Sequence, residues 1–138
     1  MKIKLNFEIK PMAKQSFRTT RSGQKYLDPS VIKYRKAIRN MAIAQMRNQK
    51  AEKIEGAVNM NIVYAFRRPQ SLSKKERNEI DGGKTVPKTT KPDIDNLTKA
   101  ILDALNGIAW KDDAQVTQIN IQKIWSAKDQ IEVEIWEN

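Results

Sequence analysis

The segment from residue 91 to residue 115, KPDIDNLTKAILDALNGIAWKDDAQ, constrains this chain more than any other. Ile94, Leu97, Ile101, Ala104 and Leu105 recur at helical spacing, which predicts a helix with one apolar face. Pro92 disfavours the helical region for Lys91, so the helix starts at or just after Asp93. Gly107 stands where a helix commonly ends in a left-handed residue. A helix defined at both ends and apolar on one side needs a surface to pack on.

Acids bracket this helix. Asp93 and Asp95 precede or open it, and Asp112 and Asp113 follow it. Each pair alone is ordinary, the first as helix caps and the second as a turn. Gathered together, like charges repel one another unless a cation sits among them, and a divalent metal is the simplest such cation. The helix can return both acid pairs to one sheet edge, although spacing alone leaves that open. Asp95, Lys99 and Asp103 fall at i, i+4 and i+8 on one polar stripe, so Lys99 reads either as a functional cation or as half of an ion pair.

The chain has no cysteine and no histidine. That excludes disulfides, zinc–thiolate sites, thiol nucleophiles and His-based triads. Carboxylates without those ligands favour hard ions such as Mg2+ or Mn2+. Net charge is +10, unevenly placed. Residues 1–50 carry thirteen lysines and arginines against Glu8 and Asp28, whereas residues 51–138 are nearly neutral. Such asymmetry points to a polyanionic partner, most simply nucleic acid. No long apolar run or targeting motif is read, so no membrane association and a cytoplasmic location are expected.

The remaining sequence supplies a sheet. Ile3, Leu5, Phe7 and Ile9 alternate with polar residues, as do Ile131, Val133 and Ile135. Further strands are predicted from residue 58 to Arg67 and from Val116 to Ile124. Lys14 to Tyr26 is polar and basic, with a turn at Ser22-Gly23, and reads as a solvated loop or a phosphate-contacting arm. A long helix starts near Pro29, capped by Asp28 or Ser30, and runs to about residue 50. Residues 70–90 form a polar insertion, expected to be a mobile loop, in which Ser73 and Glu76 suggest a short helix. The whole, residues 1–138, reads as one α+β domain with a mixed sheet and helices packed on one face.

The Asp-x-Asp-Asn-Leu-x-Lys run at 93–99 and the Asp-Asp-x-Gln-Val run at 112–116 together resemble the RusA family of Holliday junction resolvases. These are endodeoxyribonucleases of DNA recombination and repair, found in bacteria and their prophages. The resemblance implies Asp93, Asp95 and Asp113 as catalytic metal-binding acids and Lys99 as the essential lysine. It also implies a homodimer, Mg2+ dependence, a RusA-like α+β fold, and paired hydrolysis of a four-way DNA junction. Pro92 stands where some members carry a basic residue, with Lys91 one position earlier. Asn96 and Asp112 are expected to support the ligands, unless Asp112 competes with Asp113 as the ligand itself. Lys14, Arg18, Arg21, Lys25, Lys33, Lys36 and Lys91 are the expected DNA contacts. The competing expectations are a non-catalytic DNA-binding recombination accessory protein and a nuclease for other branched DNA.

Overall fold

Alternation along the strands decides which way the sheet faces. In the computed structural model, which describes residues 1–13 and 18–138 and only the backbone of Arg18, strand β1 (Lys2–Phe7) buries Ile3, Leu5 and Phe7 and exposes Lys2, Lys4 and Asn6. After a short hairpin, β2 (Arg18–Thr19) and β3 (Lys25–Tyr26), come helix α1 (Pro29–Asn48), strand β4 (Val58–Arg67), helix α2 (Lys74–Asp81) and strand β5 (Val86–Pro87). Helix α3 (Ile94–Leu105), a 3-10 turn at Asp113–Gln115, strand β6 (Val116–Ser126) and strand β7 (Gln130–Glu137) complete the chain.

The five-stranded sheet has the order β1-β7-β4-β6-β5. Only β4 and β6 are parallel neighbours; β1–β7, β4–β7 and β5–β6 are antiparallel. The chain leaves β4 at its C-terminal end and passes through α2, β5 and α3 before entering β6. Helix α3 therefore carries the chain back from one end of the parallel pair to the other. Its buried Leu97, Ile101, Ala104 and Leu105 join Tyr34, Ile38, Ala42 and Met46 of α1 in one apolar cluster. That cluster covers Ile3, Leu5 and Phe7 of β1, Met60, Ile62 and Tyr64 of β4, and Ile131, Val133 and Ile135 of β7. The mixed sheet with α1 and α3 on one face agrees with the α+β expectation.

Local chemistry fixes the helix ends. Asp28 caps α1 by accepting from the Ser30 N–H at 2.9 Å. The end of α3 is closed from α1: Arg39 donates to the carbonyls of Ala104 and Asn106, both at 3.0 Å. Gly107 then turns the chain at φ +81°, a conformation that costs glycine nothing.

The expectation of a mobile loop over residues 70–90 needs correction. Ser73 caps α2 through the Glu76 N–H at 3.1 Å, Ile80 is buried, and Arg68 grips Asp81 with two bonds of 3.0 and 2.9 Å. Val86 and Pro87 then pair with Trp125 and Ile124. A few apolar anchors in a polar stretch were enough to order most of it. Among the described residues, no helix is long and apolar enough to cross a membrane.

The two edges of the sheet differ. Edge strand β1 has its outward backbone groups occupied by side chains of α1. Gln49 accepts from Lys4 N–H and donates to Lys4 O (3.0 and 2.6 Å); Gln45 does the same for Asn6 (2.8 and 2.7 Å). Strand β6 meets β5 only at Ile124 and Trp125, and Lys123 O accepts from Lys88 N–H at 2.9 Å. From Thr117 to Ile121 its outer side has no strand neighbour among the described residues.

Candidate active site

Asp93 and Asp95 stand at the N-terminal end of α3, beside the C-terminal end of β6. Asp93 is the N-cap residue, yet its side chain makes no capping bond. Among the described residues, its carboxylate pairs with the exposed Lys91 ammonium alone, at 3.1 Å. Asp95 occupies the first helical turn, is exposed, and has no ion-pair partner among the described residues. Both acids sit where the partial positive charge of a helix start favours an anion. Neither caps the helix, and the one printed partner, the exposed Lys91 ammonium on Asp93 Oδ2, can swing aside for a hard cation.

Beneath this pair the helix is tied to the sheet. Thr98 donates to Ile94 O at 2.8 Å, and the buried Tyr64 hydroxyl bonds to the Thr98 hydroxyl at 3.0 Å. Burial raises the Tyr64 phenol well above its ordinary value, with the Thr98 bond opposing it, so it stays neutral and able to donate. Asn96 is half-buried beside the pair. Lys99, one turn beyond Asp95, is exposed and forms no ion pair among the described residues. Asp103 faces Arg35 of α1 at 3.6 Å.

Asp113 lies at the opposite end of β6 from Asp93 and Asp95. It belongs to the 3-10 turn that leads into the first residue of β6. The fully buried Trp110 donates its indole N–H to Asp113 Oδ1 at 2.9 Å, which fixes the carboxylate and leaves its other oxygen uncommitted. Asp112 is used differently. Its Oδ1 accepts from Ala114 N–H at 3.2 Å, while Gln115 accepts from the N–H groups of Lys111 and Asp112 at 2.8 and 2.9 Å. Gln115 also donates to the carbonyls of Ile54 and Gly56 at 2.8 and 3.0 Å, anchoring the turn to the start of β4.

Lys123, at the Asp93 end of β6, donates to Pro92 O at 2.8 Å. From Val116 to Lys123 the strand runs seven residues, about 23 Å when extended. The 12 residues of α3 span about 18 Å in the opposite direction. The helix therefore separates the two acid pairs instead of returning them to one edge, because it is the return arm of a parallel crossover. Among the described residues, no three acids of one chain stand close enough to hold a metal ion. The donor chemistry of Asp93 and Asp95 fits a hard divalent ion; the full set of three acids does not assemble within one copy.

Of the expected DNA contacts, Arg21, Lys25, Lys33, Lys36 and Lys91 are exposed. Lys14 lies outside the described residues, and the Arg18 side chain likewise. The turn expected at Ser22-Gly23 is present and joins β2 to β3, with Gly23 at φ +86°. Sequence reasoning missed Trp110, whose only advance signal is its position three residues before Asp113. It also missed Lys88 and Lys123, which look like surface lysines in the sequence.

The sequence profile of the family described as Endodeoxyribonuclease RusA matches residues 6–136. An uncharacterized protein of Bacillus subtilis (strain 168), YqaN, is 36% identical over 120 residues, covering 85% of this chain and 82% of its own length.

Proposed function

Since the chain belongs to the RusA family of endodeoxyribonucleases, we propose that it is a Mg2+-dependent nuclease that resolves four-way DNA junctions as a homodimer. The observation that carries this reading is the Asp93–Asp95 pair: two carboxylates at a helix start, neither used by the fold, on a chain of net charge +10. A strongly basic protein that places two exposed acids together on its surface weakens its own hold on DNA, unless those acids hold a cation against the phosphate.

Asp93 and Asp95 are the residues that hold the ion, and Mg2+ accommodates a site of few carboxylates completed by phosphate and water. Bound there, the metal supplies charge neutralisation at the phosphate and a water of lowered pKa. Lys99, on the same face as Asp95, offers its exposed ammonium to the negative charge that develops on the phosphate oxygens during hydrolysis. Asn96 supports the neighbouring carboxylates.

Asp113 enters from a second copy. One protomer holds Asp113 about 20 Å from its own Asp93, as the β6 rise implies. Antiparallel pairing of the open β6 edge with its own image across a two-fold axis carries the Asp113 turn of one copy toward the Lys88–Asp93 loop of the other. Two such sites per dimer match the two symmetric cuts a four-way junction requires.

The test is cleavage of a synthetic four-way junction under conditions where all of it is bound. The parent protein should cut with Mg2+ or Mn2+ and not without them, and Asp93→Asn should bind the junction but leave it intact. A protein that binds junctions tightly and never cuts them with either ion is instead a recombination accessory protein.

A further inference from the structure

The residues immediately before Asp93 are held in an unusual way. Three successive carbonyls, those of Thr90, Lys91 and Pro92, point at lysine ammoniums. Lys123 Nζ donates to Thr90 O at 2.6 Å and to Pro92 O at 2.8 Å. Lys88 Nζ donates to Lys91 O at 2.6 Å, to Thr90 O at 3.4 Å and to the Thr90 hydroxyl.

Lys88 is the less ordinary of the two. It is only 8% exposed, and its ammonium lies 4.4 Å from the ring centre of Trp125 and 5.1 Å from that of Phe66. Lysine is among the residues least often buried, because an ammonium removed from water must have its three N–H groups satisfied. Here all three acceptors come from residues 90 and 91, and the two aromatic faces add a cation–π attraction. Burial, with the Lys123 and Lys10 ammoniums nearby, pushes Lys88 below its ordinary value. Among the described residues, no carboxylate is a hydrogen-bond partner of its ammonium.

A lysine that served only to fill space between Phe66 and Trp125 would do so better as methionine, without a charge to desolvate. What the charge adds is a fixed path for the backbone directly preceding the metal-binding pair. We propose that Lys88 is a positioning residue for Asp93 and Asp95. Together with Lys123 it holds the 90–92 carbonyls against the end of β6 so that both carboxylates are set before the ion arrives. The inference rests on the metal-site reading above for its effect on catalysis, but not for its effect on the loop.

Lys88→Met keeps the apolar stem and removes the three donors. Amide hydrogen exchange over residues 90–96 should accelerate by about tenfold or more, while exchange in α1 stays as in the parent. The Mg2+ concentration for half-maximal cleavage of a bound four-way junction should rise about 10–100-fold, with junction binding in the absence of metal unchanged. Lys123→Met removes two donors from a less buried site and should move both readouts the same way by less. It keeps the test decisive if Lys88→Met does not fold. Parent-like exchange and parent-like Mg2+ dependence in the folded variants would overturn the inference. If the parent protein itself fails to cleave with Mg2+ or Mn2+, the nuclease reading falls, and the exchange measurement alone decides whether Lys88 positions the loop.

Discussion

The β1 edge of the sheet is closed and the β6 edge is open. Two glutamines of α1 occupy the outward N–H and C=O groups of Lys4 and Asn6 with four hydrogen bonds. A strand edge treated this way cannot recruit another strand. On the opposite side, β5 pairs with two residues of β6, and the stretch from Thr117 to Ile121 has no strand neighbour there among the described residues. Natural sheets seldom leave such an edge bare unless something pairs with it. The closed edge lies far from the acids. The open edge runs between them, from the Asp113 turn to the loop that carries Asp93. For the proposed homodimer, this contrast favours β6 over β1 as the pairing edge.

The largest effect expected from breaking that contrast comes from Ile119→Pro. Its N–H lies on the same side of the strand as Lys123, away from β4, so proline there removes a donor from the edge and none from the β4–β6 ladder. The variant should remain folded by circular dichroism, sediment as a monomer where the parent is a dimer, and lose junction cleavage. A folded dimer that still cuts would move the interface elsewhere. The converse experiment opens the closed edge. Gln45→Leu with Gln49→Leu removes the four bonds to β1 and should lower stability to urea by about 1–3 kcal/mol, since water partly replaces exposed hydrogen bonds. It should also introduce concentration-dependent association, while active dimers still form through β6.

A smaller effect should follow from charge. Reversing Lys33 and Lys36, both exposed on α1, touches neither edge. Dimerisation should be unchanged and junction affinity reduced. If both lysines contact phosphate, the slope of log K against log salt should become shallower by about 2. A change in sedimentation would show that α1, not β6, mediates assembly.

Much of this architecture is legible in the sequence because its determinants are local. Alternation marks β1, β4 and β7, Asp28 and Pro29 start α1, and Pro92 and Gly107 bound α3. What the sequence withholds depends on long-range pairing. Nothing near Asp113 reveals that β4 and β6 are parallel neighbours, and that pairing alone sends α3 back along the sheet and parts Asp113 from Asp93. The two residues of β5 are too few to show a period. Lys88 sits in a polar run and reads as surface, because its burial is created by Phe66 and Trp125, which lie 22 residues before it and 37 after it in the chain. The Asp-x-Asp pair was legible as a motif, but the proposed need for a second copy to complete the site was not.

That need is tested most directly by mixing two inactive variants. Asp93→Asn and Asp113→Asn should each bind junctions without cutting. If each site takes Asp93 and Asp95 from one copy and Asp113 from the other, a mixed dimer places both substitutions in one site and leaves the second site with all three native acids. Subunit exchange between the purified variants should therefore restore cleavage of one strand per junction, giving nicked product. Mixtures that form hybrid dimers, verified by mass, yet never nick the junction would contradict the shared site.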